Sequence, residues 1–333
     1  MIDTSLGHEA DHRVVERRRG NSGSNREIRM RAAWLYHVEG LTQQKTANLL
    51  NISRVQVTRL LAEARKRGEV DIRLNTSISS IIETERAFEQ AFGISKVIVA
   101  PMANEDLDPT KAIAFVAGQF ISDYVQSDMK IGVGWGRTLY SSLPHIQGRE
   151  LEKVRVISLL GGISQAKRFN PAEFAWQFAE LFNGEGYLVP APAIVDSPET
   201  KHALLERCGI NQIFELADNL DVAFLSAGGI EGITTSYRLG HINEADRQSL
   251  IAAGAVGDLL YNFISEDGEL VDHNVNTRVI SVGIDRLKNA TDRVLISGGK
   301  EKVKVILGCL KLVKPTVFIT DEFTAKAMLL SKG

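Results

Sequence analysis

The chain has 333 residues, 44% of them hydrophobic and 24% charged, with a formal net charge of −2. These values describe a globular protein long enough for two domains and a sizeable core. No run approaches the roughly 18 apolar residues of a membrane span, and the first twenty residues lack the apolar centre of a signal peptide, so a cytoplasmic protein without membrane contact is expected.

The net charge hides an asymmetry. Residues 1–75 carry 14 Lys and Arg against 9 Asp and Glu, and the remainder carries 25 against 32. A basic head on an acidic body points to a polyanionic partner for the head alone. Cys208 and Cys309 fall in stretches that read as helices and have no ligand spacing, so both are expected to pack in a reducing interior.

In chain order, residues 1–25 are polar and aperiodic and read as a disordered tail. Residues 26–75 read as a compact helical domain. A linker helix is expected over 76–92, with Ile78, Ile81, Ile82, Ala87, Phe88 and Ala91 near one face. That stripe suits packing on its own domain or pairing of two subunits, and the second reading is taken here. From 93 to 333 short apolar strands alternate with helical stretches. The strand candidates are KVIVAP, KIGVG, VRVISLL, GYLVPA, LDVAFLSA, RVLISGG and TVFITD. That alternation predicts an α/β fold with a parallel sheet.

In the head, Thr42 is a suitable N-cap for a helix over Gln43 to Leu50, with Ala47 small at a helix crossing and Leu49 and Leu50 as core. Asn51 stands where a left-handed turn must follow, Ile52 plugs that turn and Ser53 caps the next helix. Val57, Leu60, Leu61 and Ala64 form its buried stripe, leaving Arg54, Gln56, Thr58 and Arg59 outward. A short polar, cationic face at a helix start suits the major groove of DNA. Thr42, Gln43 and Ser53 at the helix starts, and Lys66 and Arg67 in the basic run before a strand-like wing (EVDIRL), complete the expected DNA-contacting set. Two features depart from the pattern. Thr46 is polar where an aliphatic residue belongs, and Lys45 stands where a capping box places Glu or Gln.

In the body, GVGWGRTL brings Gly132, Gly134 and Gly136 before a helix start. Backbone can approach an anion there, with Arg137 and Thr138 adding a charge and a hydroxyl. Three glycine pairs, Gly161–Gly162, Gly228–Gly229 and Gly298–Gly299, fall at strand ends, where open α/β sheets bind ligands. Lys302 follows the last pair and suits a phosphate. Asp258 suits sugar hydroxyls, or else a structural cap or salt bridge. Trp135 shapes the pocket mouth or packs. Catalytic motifs are thin: there is no GxSxG, no HExxH and no Cys/His cluster, while Asp272 beside His273 is a weak acid–base candidate. Binding without chemistry is favoured, and no cofactor or metal is expected.

These motifs, in this order from about Arg29 to Leu330, resemble the SorC family of bacterial transcriptional regulators. AWLYHVEGLTQQKTANLLNISRVQVTRLLAEARKRGEVDIRL is similar to that family's DNA-binding domain. IGVGWGRTL, LLGG, FLSAGGI, GAVGDLLYNFISEDGELVDHNVNTRVISV, SGGKEKVKVIL and FITDEFTAKAMLL are similar to its effector domain. The resemblance implies a winged helix-turn-helix joined to a Rossmann-like domain akin to sugar-phosphate isomerases and deaminases. It also implies a tetramer, operator DNA as partner, and a phosphorylated sugar or polyol as effector. By motif, the phosphate loop falls on Gly134, Gly136, Arg137 and Thr138, the Gly-Asp motif on Gly257 and Asp258, and Gly-Gly-x-x-Lys on Gly298, Gly299 and Lys302. Asn51, Lys45 and Thr46 depart from the usual glycine and acidic–aliphatic pair. The expected function is a ligand-responsive regulator of a carbohydrate or polyol catabolic operon. The alternative is a sugar-phosphate isomerase- or deaminase-like enzyme with a DNA-binding appendage.

Overall fold

A computed structural model describes residues 25–71, 79–162, 170–231 and 242–332. The chain forms two compact units, Met1–Thr76 and Ser77–Gly333. The expected disordered tail, apart from residue 25, lies outside the described residues, as does the wing segment from residue 72 onward.

The first unit contains helix α1 (residues 25–37), α2 (Gln43–Leu50) and α3 (Arg54–Lys66). Local chemistry sets the last two. The Thr42 hydroxyl accepts the Lys45 N–H, and Asn51 closes α2 at φ 52°, ψ 42°, a left-handed conformation that Asn tolerates better than most residues. Ser53 and Gln56 then form a reciprocal capping box at the start of α3, which satisfies two orphan amide donors. Val57, Leu61 and Ala64 of α3 meet Ala33 and Ala47 in a small core, with Tyr36, Ile52 and Val70 against it. Arg29 of α1 is 4% exposed and forks onto the Glu69 carboxylate at 2.5 and 2.6 Å. Leu49 does not join this core and is 64% exposed. Gln43, Thr46, Ala47 and Leu50 share the inward face of α2, and helical periodicity turns Leu49 away from it.

In the second unit, all seven strands read from the sequence form one sheet. They are β1 (Lys96–Ala100), β2 (Lys130–Val133), β3 (Arg155–Ser158), β4 (Glu185–Tyr187), β5 (Val222–Leu225), β9 (Asp292–Ile296) and β10 (Val317–Asp321). Their order is β1-β10-β9-β5-β2-β3-β4, and every pairing is parallel. A three-stranded antiparallel sheet that the sequence reading did not find, β6 (Ala227–Gly229), β7 (Gly257–Leu259) and β8 (Asn262–Ile264), continues directly from β5. Its strands are only three residues long, too short for alternation to register. Apolar clusters flank the large sheet, one around Phe224, Phe178 and Ile131 and the other around Leu225, Phe318 and Tyr261.

Helix α4 (Ser79–Phe92) belongs to this unit, and its stripe takes the first of the two readings, packing on its own domain. Phe88 is fully buried, with its ring 5.2 Å from that of Phe318 in β10, and Ile81 and Phe92 pack on the same core. The stripe is thus used within its own domain, while Ile82 and Ala87 face outward. Ile78 lies outside the described residues. Of the cysteines, Cys309 is buried as expected, but Cys208 is exposed just past the helix Pro198–Arg207.

Candidate functional site

The chain leaves β2 to build β3 and β4 on one side, then returns to β5 and builds β9 and β10 on the other. The direction reverses between β2 and β5, which are hydrogen-bonded neighbours. In doubly wound sheets the crevice beyond the strand ends at such a switch point is where ligands bind.

Four elements deliver side chains to this rim. After β2, Gly134 donates its N–H to Phe224 O at 2.8 Å. Gly136 then takes φ +135°, a conformation side chains disfavour, and opens helix α6 (Arg137–Ser142). A side chain at Gly136 would lie 3.6 Å from Ser226, at the end of β5. From β7, Asp258 packs flat on Gly228, where an added Cβ would sit 2.2 Å from its Oδ1, and its carboxylate accepts the Tyr261 N–H at 2.9 Å. Lys302 precedes the helix Val303–Val313, and its Cγ would be 3.8 Å from a Cβ at Gly229.

Electrostatics links these groups. Burial pushes the Asp258 carboxyl up to about 6, against the opposing pull of the Tyr261 N–H and Lys302. Burial also lowers Lys302 below the usual ammonium range; Glu301, Asp108 and Asp258 oppose that shift and Arg137 adds to it. The two partners each favour the other's charged form, yet both shift toward neutrality, so desolvation outweighs their attraction. Trp135 packs rather than forming a mouth: it is 6% exposed and stacks on Tyr261, ring centroids 4.7 Å apart.

The structure therefore gathers Gly136, Arg137, Asp258 and Lys302, with Thr138 buried in α6 next to Arg137, and it adds members the motifs did not indicate. Asp108, in the loop between β1 and helix α5 (Thr110–Tyr124), pairs with Arg137 at 3.1 Å. Glu105 of the same loop pairs with Lys300. Both carboxylates are sequence-distant from the glycine motifs, and nothing local signals their approach.

Several glycines turn out to serve packing. The Gly161 N–H goes to Ile280 O, and the Gly162 N–H to Ala191 O. Gly161 lies so close to the Ala191 and Pro192 carbonyls that a Cβ would come within 2.6 Å of both. The Gly299 N–H donates to Thr324 Oγ1 at 2.7 Å and to Asp321 Oδ2 at 3.2 Å, and Gly298 lies against the same Asp321. Gly132 is inside β2 and makes room for Leu220 and Leu159 rather than for a ligand. His273 is a helix cap: its Nδ1 accepts the Val275 N–H, and its Nε2 lies 2.9 Å from Ser249 Oγ. No cluster of metal-ligating side chains occurs among the described residues, and none of their helices is long and apolar enough to cross a membrane.

In the first unit, Thr42, Ser53, Arg54, Gln56, Thr58, Arg59, Lys66 and Arg67 are exposed, and Gln43 is half-exposed. Gln56 is partly occupied, since its Oε1 accepts the Ser53 N–H at 3.0 Å. Thr58 Oγ1 lies 3.1 Å from Gln43 Oε1, and Arg67 pairs with Glu63. Among the described residues Arg54, Arg59 and Lys66 enter no ion pair.

A doubly wound parallel sheet with cations and a buried carboxylate at its switch point, in a unit separate from three small helices, defines a ligand-binding α/β domain with a helical appendage. The family model described as "Putative sugar-binding domain" matches residues 76–330, and the chain belongs to that family. The chain is 28% identical over 305 residues to the deoxyribonucleoside regulator of Bacillus subtilis, spanning 91% of this chain and 97% of that protein. It is 27% identical over 304 residues to the erythritol catabolism regulatory protein EryD of Brucella abortus, spanning 91% and 96%. The full-length sorbitol operon regulator SorC from Klebsiella pneumoniae superimposes with a TM-score of 0.69 at 25% identity, covering 92% of this chain and 99% of that one. The resemblance to SorC-type regulators drawn from the motifs holds.

Proposed function

We propose that this protein is a transcriptional regulator of a carbohydrate or polyol catabolic operon, binding operator DNA through the first unit and a phosphorylated sugar or polyol through the second. The observation that carries this reading is the meeting of Arg137, Lys302 and Asp258 at the switch point of a sugar-binding-family domain. The cations supply charge-assisted donors for a phosphate, and Asp258 supplies an acceptor for hydroxyls.

The exposed start of α3, with Arg54 and Arg59, fits the major groove as the reading helix of a winged helix-turn-helix. Gln56 keeps its Nε2 for a base edge while its Oε1 holds the cap, so Arg54, Gln56, Thr58 and Arg59 carry the direct contacts in this reading. Residues 26–75 form the DNA-binding domain, and the effector domain takes in the expected linker helix, 76–92, together with 93–333, assembled as a homotetramer. Effector occupancy acts by favouring one arrangement of the reading heads, a coupling of roughly 1–3 kcal/mol.

The test is fluorescence anisotropy on the promoter beside its own gene, at fixed salt because phosphate contacts are steeply salt-dependent. A panel of free and phosphorylated pentoses, hexoses and polyols is added. One phosphorylated compound should shift DNA affinity by roughly 5–150-fold. Turnover of any of these compounds would replace the regulator reading with the isomerase- or deaminase-like enzyme.

A further inference from the structure

Arg137 of the proposed phosphate site, and Lys300 two residues before Lys302, are already engaged by carboxylates of the same chain. Arg137 holds Asp108 through two contacts, Nη1 to Oδ2 at 3.1 Å and Nη2 to Oδ1 at 3.4 Å. Lys300 holds Glu105. Both carboxylates belong to the loop 101–109 that leaves β1 at the site's rim.

Asp108 is fixed independently of Arg137. Its Oδ1 accepts the Thr110 N–H at 3.0 Å, at the first residue of α5. Both pairs are roughly half exposed, and exposed pairs are weak enough for a better anion to displace.

We infer that Asp108, seconded by Glu105, is a specificity-determining residue that sets the charge an effector must bring. This rests on the phosphate reading of the site. Arg137 is parked on Asp108, and a ligand gains the guanidinium only by offering more than one carboxylate offers. A phosphate dianion presents three acceptor oxygens and matches the fork. A neutral sugar presents neither charge nor fork, so it leaves Arg137 on Asp108 and is rejected even if its hydroxyls reach Asp258.

The experiment is calorimetric titration of the full chain with inorganic phosphate, mildly alkaline so that the dianion dominates, and in parallel with the monoanion methanesulfonate. Asp108→Asn keeps an acceptor for the Thr110 N–H while removing the charge. It should tighten phosphate binding roughly fivefold, the upper end for an exposed pair, and should tighten methanesulfonate too, by no more than phosphate. Glu105→Gln should give a smaller gain, and Arg137→Ala should lose phosphate binding in either background. If Arg137→Ala loses binding but Asp108→Asn binds phosphate no more tightly than wild type, the charge filter is overturned and the site stands. Absence of phosphate binding in wild type and Asp108→Asn alike, or binding indifferent to Arg137→Ala, overturns both. Far-ultraviolet circular dichroism of each variant verifies the fold.

Discussion

The carboxylate of Glu85 accepts the Val99 N–H at 2.9 Å, tying α4 to the outer edge of the large sheet. One turn further, Glu89 does the same for Val97 at 3.0 Å. Among the described residues strand β1 pairs only with β10, so these amides would otherwise be bare donors on an edge strand, which invite pairing with another chain. Glu85→Ala strips one acceptor and should cost about 1–3 kcal/mol, the usual penalty for an unsatisfied buried donor. Glu85→Gln, which keeps an acceptor, should be near neutral or stabilising at neutral pH, because burial raises the Glu85 carboxyl and the amide avoids desolvating a charge. Urea unfolding of the three proteins separates these outcomes; equal losses in both variants would refute the edge role.

Thr46 explains one oddity of the first unit. It is fully buried, and its hydroxyl finds no hydrogen-bond partner among the described residues. Thr46→Val keeps the shape and removes the unpaired group, so it should stabilise the first unit by about 1 kcal/mol. Thermal melting followed by far-ultraviolet circular dichroism is the check, and a lowered melting temperature would mean that the hydroxyl has a use.

The two units should respond oppositely to acid. Glu69 is held below its ordinary range by its hydrogen bond to Arg29, so its contribution is present above pH ~4.5 and is lost as pH falls through the lowered folded value. Asp258 is raised from 3.8 to about 6. The folded state then binds the extra proton, and this group's contribution falls as pH rises from about 4 to about 6, staying low above that. Asp258→Asn keeps an acceptor for Tyr261 and removes the titration. At neutral pH it should exceed wild type by up to about 3 kcal/mol, the gap closing near pH ~4 in urea unfolding curves. A gap independent of pH would show that Asp258 does not titrate in this range.

Gly228 is a steric test of the hydroxyl-binding side. A methyl group there would stand 2.2 Å from Asp258 Oδ1, and the carboxylate is buried. Gly228→Ala should cost about 1–3 kcal/mol through overpacking and abolish the thermal shift given by whichever sugar phosphate the anisotropy panel identifies. Gly283→Ala, where an added Cβ meets nothing within 4 Å, should leave stability and that shift nearly unchanged.

What the sequence by itself determined is what short-range physics controls. The seven long apolar runs became the seven parallel strands. The caps at Thr42 and Ser53, the left-handed Asn51 and the stripe Val57–Leu60–Leu61–Ala64 lie where composition and periodicity put them. These depend on hydrogen bonds and side-chain spacing within a few residues.

What only the tertiary structure decided concerns partners far apart in the chain. The α4 stripe turned inward because Phe318 of β10 waits for Phe88. Gly161, Gly162 and Gly299 resemble ligand-facing glycines, yet their amides meet carbonyl and side-chain acceptors delivered by other loops. Asp108 reached Arg137 across 29 residues of sequence, through the packing of α5 beside α6. A glycine or a carboxylate carries the same local signature whether it faces a ligand or a neighbour. Which one it meets is set by the crossover that folds one strand end over the next.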